Sequence, residues 1–271
     1  MTPPSSRTRF SDTPRPARAR GATKSGLSAR HARASTRYPT PGLGVGANRR
    51  GLRLLDLLVP ERCAACGAGE RIVCGPCLAA LRLLRGPLCA RCGAPTAWPV
   101  DRCAECAGRR LPFGSARAAV AYEGPARTLV TACKERGRRP LARVFAGLVA
   151  DVVSRPAVDV LTFIPPDPDR GLWRGQNPAE TLARLLGLEW ELPVEPLLAR
   201  SRRSRPQRGL TRAARRTNVQ GAFHATTAPA VVALVDDVYT TGATVGSAAT
   251  ELRRSGARAI HIITFARAVR R

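Results

Sequence analysis

The chain has 271 residues and 44% hydrophobic content, enough for one large domain or two smaller ones with a core. It holds no run of 18 or more apolar residues and no apolar N-terminal segment, which excludes a membrane-spanning helix and argues against a secretory signal, so a cytoplasmic location is expected. A net charge of +26 suggests an anionic partner such as nucleic acid, but nearly all the basic residues are Arg, with Lys24 and Lys134 the lysines, and a GC-rich genome yields the same bias.

Residues 1–48 are rich in Arg, Pro, Ser, Thr and Gly, carry Asp12 as their acid and show no helical or strand periodicity. They read as a disordered leader, either a solvated tail or the product of a start codon placed too far upstream, with an organellar transit peptide as a lesser alternative. A short apolar stretch, Leu52 to Leu58, leads into a segment with four C-x-x-C pairs: Cys63/Cys66, Cys74/Cys77, Cys89/Cys92 and Cys103/Cys106. Two thiolates separated by two residues reach one tetrahedral ion, so eight cysteines suit two structural Zn²⁺ ions. In a reducing compartment paired cysteines indicate metal rather than disulfide. A segment with few large apolar residues also needs the free energy of metal binding to fold. Sequential pairing makes a double zinc ribbon, the favoured scheme, and alternating pairing makes a cross-braced module. An iron-sulfur or redox role explains four evenly formed pairs less well. The ribbon module is placed at 52–110.

The second expected domain, 111–271, opens with a strand at Ala116–Tyr122, a turn at Gly124 and Pro125, and a helix over Ala126–Arg136 that carries the lone Cys133 as a small buried hydrophobe. Leu141, Val144, Phe145, Leu148 and Val152 mark one buried helical face, bounded by Pro156. Val158–Ile164 is a buried strand. The NPAE at 177–180 starts the next helix, with Asn177 as cap, Pro178 in the first turn, Glu180 reaching back to the cap amide, and Gly187 as the stop. Residues 200–217 form an exposed basic loop. Val231–Asp237 is a continuous apolar run ending in two acids, as a central parallel strand reads where it meets a ligand. A helix over Thr244–Arg254, a close at Gly256 and a strand at Ala259–Phe265 complete a βαβ unit. Trp98, Trp173 and Trp190 are isolated, which makes them packing residues; with aromatic content at 4%, a base-stacking groove is poorly supported.

The segment Val232–Thr244, VALVDDVYTTGAT, carries the chemistry. Amides at a helix start, a glycine allowing close approach and threonine hydroxyls form a cradle for a phosphate monoester. Paired carboxylates accept from vicinal hydroxyls, so together they suit a sugar 5′-phosphate. No G-x-x-x-x-G-K-[ST] element is present, which argues against a P-loop ATPase.

These thirteen residues resemble the signature of type I phosphoribosyltransferases. With the cysteine pairs upstream, the chain resembles the ComF family, in which a double zinc ribbon precedes a phosphoribosyltransferase-like domain and some members are linked to DNA uptake in competent bacteria. The resemblance runs from about Leu54 to Arg267 and includes Tyr122-Glu123-Gly124, Lys134, Arg174-Gly175, Asn177, Glu180, Gln207, Leu210, Arg215, Asn218, Gly221 and Phe223. It implies an α/β fold, a parallel sheet flanked by helices. It further implies that Asp236 and Asp237 hold the ribose hydroxyls of phosphoribosyl pyrophosphate, and that Thr240, Thr241, Gly242, Ala243 and Thr244 hold its 5′-phosphate. Mg²⁺ would bridge the diphosphate, and Lys134, Arg170 and Arg174 would face it.

Two departures bear against pyrophosphate chemistry: Asp167 puts an acid near the expected diphosphate, and Pro178 replaces an amide side chain. Two functions follow. One is a phosphoribosyltransferase of unspecified acceptor. The other is a non-catalytic zinc-ribbon scaffold or single-stranded-DNA-binding module that keeps the pocket as a sensor beside the DNA-uptake machinery, including a helicase-type partner.

Overall fold

The structure, a computed structural model, describes residues 62–69, 71–135, 137–167, 177–201 and 222–270. Residues from Leu52 to Arg271 make one compact unit. After a short helix α1 (Gly75–Ala79) come β1 (Ser115–Ala121), α2 (Gly124–Glu135), α3 (Leu141–Val152), β2 (Val160–Phe163), α4 (Pro178–Trp190), β3 (Leu198–Arg200), β4 (Phe223–Ala225), β5 (Val231–Tyr239), α5 (Ala243–Arg254) and β6 (Ala259–Arg267). Four strands form a parallel sheet in the order β1-β6-β5-β2, while β3 and β4 pair antiparallel in a separate ribbon. The expected α/β fold with a parallel sheet flanked by helices is what the chain adopts.

Because side chains alternate across a strand, β5 and β6 feed two cores. Ala233, Val235, Ile263 and Phe265 face Leu129, Phe145, Leu182 and Leu186 of α2, α3 and α4. Val232, Leu234, Ile260 and Ile262 face Val245, Ala248, Ala249 and Leu252 of α5, together with Phe223. Burial on both faces explains the uninterrupted apolar runs of these strands. Phe145 and Phe265 stack with centroids 3.8 Å apart, which locks α3 onto β6.

The cysteine segment closes one edge of the sheet. Leu84 N–H donates to Ala119 O at 2.8 Å and Ala121 N–H to Arg82 O at 2.9 Å, so the chain between the two cysteine groups runs antiparallel to β1. Cys63, Ala64, Val73 and Cys77 then join the core on the α3 face, whereas Cys89, Cys92 and Cys106 join the core on the α5 face. The two ribbons straddle β1. At the other edge, Leu161 N–H donates to Pro193 O at 2.9 Å and Glu195 N–H to Leu161 O at 3.0 Å. Neither edge is left as a template for another strand.

Three local expectations need correction. The α4 helix passes through Gly187 and ends at Trp190, with Glu191 in the left-handed region at φ 52°. Gly187 is needed for close packing: a Cβ there would lie 2.4 Å from Val194 Cγ2 and 2.9 Å from Leu192 O, where the chain turns back across the helix. Asn177 caps α4 as expected, accepting from Ala179 N–H at 3.1 Å, but the Glu180 carboxylate receives Arg184 at 2.8 Å, one turn along the exposed face. Trp98 is 68% exposed, because the second ribbon loop that carries it has no core to receive an indole, whereas Trp190 packs inside as expected. Trp173 lies outside the described residues. Cys133 is half-buried against the α3-face core, in keeping with a packing role.

Gly187→Ala should destabilise the chain by about 2 kcal/mol in urea unfolding, the scale of an overpacked site, despite alanine's better helix propensity. Val194→Ala in the same chain should recover part of that loss.

Candidate metal centres and phosphate loop

The thiols gather in two groups, Cys63/Cys66/Cys74/Cys77 and Cys89/Cys92/Cys103/Cys106, with the sulfurs of each group within 4.8 Å of one another. This is the sequential pairing. Tetrahedral Zn–S bonds of about 2.3 Å place sulfurs about 3.8 Å apart, and a disulfide places them at about 2.05 Å. The observed separations are 3.7 Å for Cys66–Cys74, 3.6 Å for Cys89–Cys106, 3.5 Å for Cys92–Cys103 and 4.0 Å for Cys103–Cys106. The donor sets therefore fit closed structural zinc sites.

Backbone amides complete each knuckle: Cys74 N–H donates to Cys63 Sγ at 3.4 Å and Cys103 N–H to Cys89 Sγ at 3.3 Å. Burial opposes ionisation of Cys63 and Cys89, but these amide donors outweigh it and hold both thiols at about 6. Burial, reinforced by neighbouring thiols, pushes Cys77, Cys92 and Cys106 up. Four clustered thiolates need a cation, and a divalent metal supplies it.

β5 runs two residues past the expected end at Asp237, to Tyr239, and the chain then turns into α5 through Gly242 at φ 75°. A Cβ at Gly242 would sit 2.5 Å from Tyr239 Oη, so both the backbone conformation and the close ring require glycine. Thr240 and Thr241 are exposed, Gly242 is buried, and Ala243 and Thr244 are half-buried at the helix start. Thr241 Oγ1 accepts from Ala243 N–H at 3.3 Å.

The acid pair lies at the carboxyl end of β5, where ligands of parallel sheets bind. Asp237 is buried and its Oδ2 lies 2.6 Å from Lys134 Nζ, so the last turn of α2 delivers its ammonium to the strand tip. Asp236 Oδ1 accepts from Asp237 N–H at 2.9 Å. Desolvation pushes the Asp236 carboxyl up to about 6, against the opposing pull of Lys134 and Arg200. The structure brings Lys134 to the Asp236–Asp237 pair at the strand tip, and residues 240–244 follow it directly into α5. Arg170, Arg174 and the 207–221 matches lie outside the described residues.

Other residues at the site carried no signal. Arg200 donates from Nε to Pro165 O at 3.1 Å and stacks over Phe223 at 4.9 Å. Arg109, in what reads as a basic link, donates from Nη2 to Thr241 O at 2.8 Å. Arg267, buried at the end of β6, lies 4.8 Å over the Tyr239 ring, pairs with Glu105 at 2.9 Å and donates to Cys92 O. Position in the chain gave no hint of these contacts; three residues past a final cysteine is the nearest thing to a clue for Arg109.

The fold and donor sets define a class: a double zinc ribbon built onto a parallel α/β domain. A double zinc ribbon domain matches residues 54–107. The chain is 28% identical to the DNA utilization protein YhgH of Salmonella typhi over 76% of this chain and 96% of that protein, and 27% identical to Competence protein F of Haemophilus influenzae over 76% and 97%. The resemblance drawn from sequence holds: a double zinc ribbon matches, and the relatives found over most of the chain carry DNA-utilization and competence names. Among solved structures it is similar to the B. subtilis glutamine phosphoribosylpyrophosphate amidotransferase in complex with ADP and GMP, with TM-score 0.31 and 24% identity over 46% of this chain. It spans about a quarter of that protein's length, 25%. Among the described residues no helix is long and apolar enough to cross a membrane.

Elemental analysis should find two zinc ions per chain, one for each thiol group. Cys106→Ser should leave one and lower the melting temperature sharply, since loss of structural zinc removes folding free energy. Asp236 binds its proton more tightly folded than unfolded, so its contribution to stability is greatest below about 4 and falls as pH rises toward about 6. Unfolding midpoints should therefore shift in favour of Asp236→Asn over the parent chain between pH 4 and 6, and run parallel above it.

Proposed function

We propose that the tip of β5 and the start of α5 form a pocket for phosphoribosyl pyrophosphate or a related 5-phosphosugar, in a protein that serves DNA utilisation or uptake. The observation that carries this reading is the juxtaposition of the Asp236–Asp237 pair, met by Lys134, with the Gly242 turn that opens α5. In this assignment Asp236 and Asp237 accept from the ribose hydroxyls, and Thr240, Thr241, Gly242, Ala243 and Thr244 receive the 5′-phosphate. Lys134 sits between the acids and the diphosphate, with Arg170 and Arg174 contributing from the preceding loop. Carboxylates are the oxygen donors that a hard cation takes, so the tip suits a diphosphate arriving with Mg²⁺, which would offset leaving-group charge.

Residues 52–110 act as the ribbon module and 111–271 as the phosphosugar domain. The relatives' names speak of DNA utilization and competence; in this reading the protein is cytoplasmic, with single-stranded DNA and a helicase-type component of the uptake machinery as partners. Asp167 follows β2 by four residues; an acid near the expected diphosphate favours a second reading in which the pocket binds without turnover.

Titration calorimetry with phosphoribosyl pyrophosphate and Mg²⁺ should show saturable binding, weakened by about tenfold or more in Asp237→Asn, the scale of a lost charge-assisted hydrogen bond. Exchange of labelled pyrophosphate into the donor, abolished in Asp236→Asn and Asp237→Asn, identifies a transferase. Tight binding without exchange identifies the binding module. Absence of binding at millimolar donor contradicts the pocket.

A further inference from the structure

The second zinc ribbon reaches the phosphate loop by two separate routes. The first starts at the knuckle that ends in Cys106. Arg109 N–H donates to Cys106 O at 3.2 Å, Gly108 turns at φ 70°, and the Arg109 guanidinium then donates to Thr241 O at 2.8 Å. The second starts at Cys92. Arg267 donates to Cys92 O and, at 3.6 Å, to Cys92 Sγ, pairs with Glu105 between the last two cysteines, and lies over Tyr239. The Tyr239 hydroxyl in turn sits directly beneath Gly242, and it has no hydrogen-bond partner among the described residues. Phe113, just beyond the ribbon, meets the same ring edge-on at 6.3 Å.

A metal ion fixes Cys92, Cys103 and Cys106 relative to one another, and these contacts carry that geometry to Thr241 and Gly242. Comparable wiring from the first group is not seen among the described residues: Arg138 donates to Arg62 O at 2.7 Å, but Arg138 lies between α2 and α3, away from the loop.

We propose that Arg109 and Arg267 are positioning residues for the phosphate loop, and that the conformation of Thr240–Thr244 depends on metal at Cys89/Cys92/Cys103/Cys106 and not on metal at the first group. As regards ligand affinity, the inference rests on the pocket reading above. Removing the Arg109 guanidinium frees Thr241 O and lets the turn open, with both thiol groups intact. Removing metal from the second group releases both routes together. Linkage makes the effect reciprocal: a phosphosugar held by the ordered loop tightens metal binding at the second group alone.

The test uses the full chain in five forms: wild type, Arg109→Ala, Arg109→Lys, Cys103→Ser and, as the control for the first group, Cys66→Ser. Hydrogen exchange at residues 240–246 is read without ligand, beside zinc content and melting temperature. Arg109→Ala should raise exchange there by about tenfold while keeping two zinc ions, on the scale of one charge-assisted hydrogen bond. Arg109→Lys should restore much of the protection, because an ammonium also donates to a carbonyl. Cys103→Ser should raise exchange at the loop, and Cys66→Ser should not.

Ribose 5-phosphate affinity should fall in the same order, and its presence should raise the zinc affinity of the second group in equilibrium competition with a chelator. Unchanged loop exchange in Arg109→Ala, or equal exchange in the two cysteine variants, overturns the proposal. Loop exchange that follows the expected order in a chain that binds no ribose 5-phosphate leaves the wiring standing and sinks the pocket reading instead.

Discussion

Two carboxylates at the end of a strand paired on both sides cannot be left to each other. β5 is hydrogen-bonded to β2 and β6, so its tip carries Asp236 and Asp237 into a largely desolvated corner. Each charge held away from water needs a cation or a proton. Lys134 meets Asp237 from α2, Arg200 approaches from β3, and Asp236 meets part of the demand by holding its proton until about pH 6. α2 through Lys134 and β3 through Arg200 both bring positive charge to that corner. The phosphosugar proposed for this site would offer hydroxyl donors to the acids and a phosphate to the helix start, which is the same complementarity from outside.

The ribbons solve a different problem with the same sheet. A segment rich in Gly, Pro and Arg has too little apolar surface for a core of its own, and it borrows one from each face of β1. Its backbone also closes the β1 edge that would otherwise be open. This mutual support explains why Leu52–Arg271 behaves as one compact unit even though two kinds of architecture share it. It also places a metal-organised turn within one side chain of the phosphate loop.

What was legible in sequence was local. Four C-x-x-C pairs announced two metal sites, and the apolar run of Val231–Val235 followed by two acids announced a buried strand meeting a ligand. The Leu141–Val152 spacing announced a helix with one buried face; the structure buries Leu141 and Phe145 of that set, leaves Val144, Leu148 and Val152 half-buried, and completes the buried face with Ala142, Ala146 and Val149. What escaped was set by contacts between distant positions. Arg109 and Thr241 are separated by 132 residues, and Arg267 and Cys92 by 175, so no window along the chain contains either pair. Gly187 read as a helix stop because glycine commonly is one; the return of Leu192–Val194 across the helix, which only the fold reveals, gives it another task. Glu180 had two partners available by spacing, and the Arg184 guanidinium one turn away was the stronger one.

The account places a phosphosugar at the junction of the Asp236–Asp237 pair and a helix start, beneath a turn braced by the second ribbon. A crystal structure of the full chain with ribose 5-phosphate tests this most directly. The account predicts the phosphate on the amides of Thr241–Thr244 and the ribose hydroxyls within hydrogen-bond distance of Asp236 and Asp237, with the Arg109–Thr241 contact kept. A sugar phosphate bound elsewhere, or a loop that stays empty at saturating ligand, would contradict it.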